Sequence, residues 1–336
     1  MKPEVLSEDD LIDYPLKGYS GKSQIWTPTG LYLTEFPEPT WIIPNILPAG
    51  LSILAGAPKL GKSWFALNIA VQFSCSLRIL DKFQTDPQKA LYLALEDTPP
   101  RLQNSLLQMD APDTANLLLA TNWTTGIHGY EEIRSILYNN RDLKLVIVDT
   151  LKKMRDVYDR PSNYAYDADY EEIGYLKEIA DQYNVAILVI THTRKAESVD
   201  FLQSVSGTMG ITGAADTVLA LTRSRTSSDA VLSVTGRDIE EAQYSIGFCK
   251  DTFSWKFLGN VEDEQISERR QAIFDFLKES GEVETVKRIR EAVGGSDSNI
   301  SHILAKMCRE GIVYKPSYGK YALWTPDQSD QGIQSL

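Results

Sequence analysis

Gly56-Ala57-Pro58-Lys59-Leu60-Gly61-Lys62-Ser63 decides how this chain is read. It follows a short apolar run, Leu51 to Ala55, and opens a stretch of helical character, so it fits the phosphate-binding pattern G-x-x-x-x-G-K-[ST] in both residues and context. Glycines let backbone N–H groups turn toward phosphate oxygens, and the amino end of the following helix adds partial positive charge. Lys62 is expected to reach the β and γ phosphates, and Ser63 to ligate Mg²⁺. The candidate ATP-contacting segment is therefore Gly56, Ala57, Pro58, Lys59, Leu60, Gly61, Lys62, Ser63 and the next residue, Trp64.

Nucleoside triphosphate chemistry also needs carboxylates at neighbouring strand ends. Leu145-Val146-Ile147-Val148-Asp149 ends an apolar strand on an acid, which makes Asp149 the second candidate for holding Mg²⁺. Leu91-Tyr92-Leu93-Ala94-Leu95-Glu96-Asp97 ends another, and Glu96 is the candidate for polarising the attacking water. Asp97 is the substitute; it also suits the start of the helix expected near Thr98 and Pro99. Ile190-Thr191-His192-Thr193 closes a further strand, where ligands bind at the carboxyl edge of open α/β sheets. His192 is accordingly a candidate sensor of the γ phosphate, and Lys195 nearby reads as a surface charge.

Outward from the loop, apolar runs alternate with helical stretches: Leu51 to Ala55, Ala90 to Leu95, Lys144 to Val148, Ala186 to Ile190, Val218 to Leu221 and Val231 to Val234. Such runs read as buried parallel strands, so the expected class is α/β, a twisted, mostly parallel sheet flanked by helices over residues 40–260. Residues 1–39 mix Pro, Gly, Ser and acids without periodicity and read as an extended arm. The polar, acidic residues 261–268 read as a linker. Residues 269–325 carry three amphipathic helical faces and a hairpin around Lys315-Pro316-Ser317-Tyr318-Gly319, the pattern of a small winged-helix domain, followed by a tail at 326–336.

Composition narrows the function classes. With 43% hydrophobic and 24% charged residues, the chain has enough apolar content for a large core, and disorder is excluded as its dominant state. No uninterrupted apolar run is long enough for a membrane span and no signal segment is visible, so the expected location is the cytoplasm, with no membrane partner. Cys75, Cys249 and Cys308 lack metal or disulfide spacing and read as reduced core thiols. A net charge of −12 argues against extensive coating of DNA while leaving room for a local basic surface. Between Glu264 and Thr325, ten basic side chains face nine acidic ones. That balance is compatible with duplex contact by the winged helix or with a protein-docking role.

The blocks WIIP (41–44), LPAGL (47–51), GAPKLGKSWFALNIA (56–70), LYLALED (91–97), LVIVDT (145–150), ITHTRK (190–195), SVSGTMGITGAADTVLAL (204–221) and TGRD (235–238) resemble, in this order, the RepA-type ATPases of the RecA, DnaB and KaiC lineage. The resemblance implies a RecA-like core that binds ATP between subunits of a homo-oligomeric ring, commonly a hexamer, and drives DNA unwinding in replication or recombination of plasmids, phages or other mobile elements. It gives Glu96 the role of catalytic glutamate and His192 that of γ-phosphate sensor. Residues 204–215, with Gly207, Gly210 and Gly213, correspond to the loop that contacts single-stranded DNA in the pore. Arg237 matches the arginine that reaches the neighbour's site, a fixed cation after an apolar strand being what a trans-acting finger needs. Arg223 also follows a strand and competes for that role. The rival reading is an ATP-gated assembly switch with slow hydrolysis.

Overall fold

The computed structural model describes residues 27–34, 40–155, 165–192, 213–223 and 229–324. The chain divides into two units, residues 1–40 and 41–336. In the first, α1 (Pro28–Leu33) begins at Thr27, whose hydroxyl accepts from the Gly30 N–H at 3.0 Å. This part of the expected extended arm is therefore helical, because a Thr cap followed by Pro starts a helix well. The rest of the arm, apart from Thr34, and the tail at 326–336 lie outside the described residues.

The second unit opens with a small antiparallel ribbon, β1 (Trp41–Ile43) and β2 (Leu47–Pro48). The chain then runs through β3 (Gly50–Gly56), α2 (Lys62–Ser74), β4 (Lys89–Ala94), α3 (Pro99–Gln108), β5 (Leu117–Ala120), α4 (Gly126–Asn139) and β6 (Leu143–Asp149). It continues with α5 (Leu151–Met154), α6 (Ala165–Tyr183), β7 (Ala186–His192), β8 (Thr217–Thr222), β9 (Asp229–Gly236), β10 (Ala242–Cys249) and β11 (Ser254–Asn260). Nine of these strands form one sheet in the order β11-β10-β9-β8-β3-β7-β6-β4-β5. From β8 to β5 all neighbours are parallel, and β9, β10 and β11 extend the sheet antiparallel.

Burial on both faces explains the continuous apolar strands. Leu54, Leu145, Ile147, Leu188 and Ile190 join Phe65, Ile69 and Phe73 of α2 in one core. Leu51, Ile53, Val146, Val148, Ile187 and Val189 point the other way, onto Tyr130 and Ile133 of α4 and Ile173, Leu176 and Ile179 of α6. The side-chain period of two along each strand divides the residues between these layers.

Three expectations are corrected. Val231 to Val234 belongs to β9, which is antiparallel to β8, because residues 223–228 are too few for the crossover a parallel return requires. Residues 261–268, expected as a linker, form the first turns of α7 (Val261–Ser280), where an acidic start suits the positive helix amino end. Cys75, Cys249 and Cys308 are unbridged, as expected, but half-buried rather than in the core.

After α7 come β12 (Glu284–Thr285), α8 (Val286–Val293), α9 (Asp297–Arg309), β13 (Val313–Ser317) and β14 (Lys320–Leu323). The three strands make a separate sheet, β12-β14-β13. Ile273, Leu277, Ile289, Ile300, Ile303, Leu304, Met307 and Val313 form an apolar cluster of their own beneath it. Thr285 caps α8 and Ser296 caps α9, each hydroxyl accepting a backbone N–H at 3.3 Å.

The antiparallel extension is tied to α2 by buried Asn68. Its side-chain oxygen accepts from the Trp255 N–H at 2.7 Å, and its amide donates to the Phe253 carbonyl at 3.1 Å. Asn68→Ala strands that buried backbone donor, so urea unfolding should register a loss of about 1–3 kcal/mol.

Candidate active site

The parallel strands β3, β4, β6 and β7 end at one edge of the sheet, and their register assembles the site there. Gly56 lies opposite His192 across β3 and β7, and Ala94 lies opposite Asp149 across β4 and β6. Between β3 and α2 the chain turns through Lys59 at φ 66° and Gly61 at φ 95°, and Lys62 is the first residue of the helix. Gly61 meets two demands at once. Its backbone is left-handed, and an added Cβ would lie 3.1 Å from the Trp255 ring beneath the loop.

Lys62 is only 4% exposed. Its ammonium donates to the carbonyls of Gly56 at 2.8 Å and Ala57 at 3.0 Å, and it lies 3.0 Å from His192 Nδ1. Burial pulls its pKa down to about 8, against the opposing charges of Asp149 and Glu96. His192 is also held below its ordinary value, first by burial and then by the Lys62 charge. A neutral imidazole accepting from the ammonium at Nδ1 satisfies both groups.

Asp149 is buried at the end of β6, and Tyr92 donates to its Oδ2 at 2.7 Å. Oδ1 is buried as well and has no partner of hydrogen-bonding geometry. Burial raises the Asp149 carboxyl, while the Ser63 and Tyr92 hydroxyls oppose that rise. An orphaned carboxylate oxygen close to an exposed serine at the amino end of a helix fits a hard, hydrated divalent cation such as Mg²⁺, which takes few protein ligands. Among the described residues no group of three or more His, Cys, Asp or Glu forms a metal cage, and Mg²⁺ beside a phosphate needs none.

Glu96 lies two residues past β4, with 41% of its side chain exposed. Buried Thr150 donates to its Oε1 at 3.0 Å, and its Oε2 stands 4.0 Å from His192 Nε2. Asp97 is engaged elsewhere, 3.5 Å from Arg101 on α3. Lys62, Ser63, Glu96, Asp149 and His192 thus converge on one edge. Trp64 turns to the side, its ring 5.1 Å from that of Phe253. Sequence reading missed Tyr92 and Thr150, although both lie inside motifs it used, one strand period before Ala94 and directly after Asp149.

Arg237 stands apart. It follows Gly236, which pairs with Thr217, and Thr217 pairs in turn with Ser52 near the start of β3. Lys62 follows the other end of β3. Arg223 comes directly after Thr222, beyond the Ala220 to Ala55 pair, and is therefore on the phosphate-loop edge. Lys195, Gly207 and Gly210 lie outside the described residues; Gly213 lies within them.

The family profile of the AAA domain matches residues 22–198, and the chain belongs to that family. No curated protein matches it. Among solved structures, one determined as an isolated ATPase domain is 14% identical with a TM-score of 0.50, over 62% of this chain and 85% of that one. A DnaB-like replicative helicase, solved in a study of its interactions with primase, is also 14% identical with a TM-score of 0.50. That match covers 62% of this chain, which spans only 58% of the helicase chain. The likeness is one of fold: a RecA-like P-loop ATPase core with a large, mostly parallel sheet between helices. Among the described residues, no helix is long and apolar enough to cross a membrane.

The lowered Lys62 pKa carries a pH dependence. A lysine that titrates near 8 in the folded chain and near 10.5 unfolded binds more protons when unfolded across that window, so its contribution to stability rises with pH there. Phosphate prefers the charged form. Titration with a fluorescent ATP analogue from pH 6.5 to 9.5 should therefore show affinity level below about 8 and weakening above it, by about tenfold per pH unit at most.

Proposed function

We propose that this chain is the subunit of a ring-forming, ATP-hydrolysing DNA motor, a RepA-type helicase or translocase serving replication or recombination of a plasmid, phage or other mobile element. The observation that carries this reading is the separation of Arg237 from the other candidate residues. Four strand residues separate the Ser52 level from the Gly56 level, about 13 Å along the sheet, so one chain cannot bring Arg237 to its own phosphate loop. A second copy, docked edge to edge, can supply it. That need favours a closed homo-oligomer, with a hexamer as the family pattern.

In this reading ATP lies along the loop from Gly56 to Ser63, with Trp64 flanking it. Lys62 exchanges its carbonyl and His192 contacts for β and γ phosphate oxygens, and the released His192 takes up a proton at Nδ1 to donate to the γ phosphate. Thr150 holds one oxygen of Glu96 so that the other orients the attacking water for in-line displacement. Ser63 and Asp149 would hold Mg²⁺, which would supply charge neutralisation for the triphosphate. Arg237 of the neighbour neutralises charge developing in the transition state. Arg223, on the phosphate-loop edge, suits a contact in its own chain better than one in trans.

Residues 269–325 fit a winged-helix module in which α9 is the recognition helix and the β13 to β14 hairpin the wing. Lys306, Arg309, Lys315 and Lys320 are its candidate contacts to duplex DNA, while single-stranded DNA passes through the ring. One feature favours an ATP-gated assembly switch instead: the chain carries a net charge of −12, unlike a protein whose main work is neutralising phosphates.

ATP hydrolysis measured at fixed salt with and without single-stranded DNA separates the two. A motor should be stimulated by the DNA. Glu96→Gln should lower kcat by about a hundredfold or more while still binding nucleotide. A slow rate indifferent to DNA would leave the switch.

A further inference from the structure

On the sheet edge opposite the phosphate loop, Asp216 is the carboxylate beside Arg237. Its side chain is 12% exposed. Oδ2 accepts from the Leu51 N–H at 2.9 Å and lies 3.0 Å from the Lys177 ammonium of α6. Gly50, at φ 106°, leaves room for it, since a Cβ there would come within 2.7 Å of Oδ2. The backbone repeats the attachment: the Asp216 N–H donates to Leu51 O at 2.9 Å. Asp216 is thus fixed to the start of β3 and to α6.

Its remaining oxygen is turned to Arg237. Oδ1 is 3.8 Å from Arg237 Nη1, and the Asp216 carbonyl accepts from the Arg237 N–H at 2.9 Å. A second nitrogen of the guanidinium, Nη2, donates to Gly213 O at 3.4 Å. The Arg237 side chain is 61% exposed. Its main chain is therefore held rigidly, while its charged head is held at long range and faces solvent. A long, rotamer-rich side chain that must meet a phosphate across a subunit boundary gains from being ordered in advance without being neutralised by a close pair.

We propose that Asp216 is the positioning residue of Arg237, aiming its guanidinium at the nucleotide site of a second copy of this chain. The proposal rests on Arg237 being the trans cation. Oδ2 does the anchoring and Oδ1 the aiming, with Lys177 serving the anchored side only.

Asp216→Asn tests this because the amide oxygen can still accept from Leu51 N–H, whereas the amide nitrogen presents hydrogens to Arg237. In the assembled full-length protein, kcat should fall about tenfold with the KM for ATP within about twofold of the parent, and the melting temperature should fall no further than in Lys177→Gln, since both variants lose the Lys177–Asp216 ion pair. Combined with Arg237→Ala, the Asn substitution should add nothing further. Lys177→Gln, which removes only the anchoring cation, should lower the melting temperature and leave kcat in place. If Asn unfolds the protein, Asp216→Ser, which keeps an oxygen for Leu51, enters the same cycle. The proposal is overturned if the Asp216 and Arg237 losses multiply, if KM moves with kcat, or if Lys177→Gln lowers kcat as much as Asp216→Asn does. A parental kcat for Arg237→Ala alone would instead remove the trans-cation reading beneath it.

Discussion

A buried ammonium must find acceptors, and much of this architecture follows from where Lys62 finds them. Its neighbours are two carbonyls of its own loop and one imidazole from β7, so β3, the loop, α2 and β7 have to meet within a few ångströms. Parallel pairing of β3 with β7 and of β4 with β6 supplies that meeting, because strands running the same way end at the same edge. Burial on both faces then makes those strands rigid. Sequence, sheet order and site are three views of one constraint.

That constraint explains what could be read before the structure. The runs at β3, β4, β6 and β7 are continuous and apolar because both faces are covered, and the polar residues at or just past their ends, Glu96, Asp149 and His192, mark the edge of the sheet that the phosphate loop adjoins. The antiparallel extension is harder to read. β10 buries only Ile246 and Gly247 fully, and β11 only Trp255, so neither shows a continuous run or a clean alternation. β5 has no fully buried residue. Tyr92 and Thr150 hid for another reason: one reads as an ordinary core aromatic and the other as the residue after an acid, and only the fold aims their hydroxyls at Asp149 and Glu96.

The two edges of the sheet also differ in electrostatic character. The phosphate-loop edge gathers groups that are buried and unevenly satisfied: Lys62 is pulled well below its ordinary pKa, Asp149 is pushed up, and Oδ1 has no partner. Such imbalance suits a site completed by a ligand. At the opposite edge burial works to lower the Lys177 pKa, but Asp181 and Asp216 together outweigh it and raise the group, and both carboxylates pair with it. The Arg237 head extends from that satisfied network into solvent. A single chain therefore has one edge with an unsatisfied carboxylate oxygen and another that offers a cation.

His192 links the loop lysine to the carboxylate beyond it. With Nδ1 accepting from Lys62, the neutral ring carries its proton on Nε2, 4.0 Å from Glu96 Oε2. Any ligand oxygen that draws Lys62 away leaves Nδ1 without its donor, and the ring must then find another donor or take up a proton. A second proton on the ring would strengthen its pull on Glu96, because opposite charges attract where neutral and charged groups barely do. Occupation of the phosphate loop would thus be felt at Glu96 through one imidazole, with Thr150 limiting how far the carboxylate can swing.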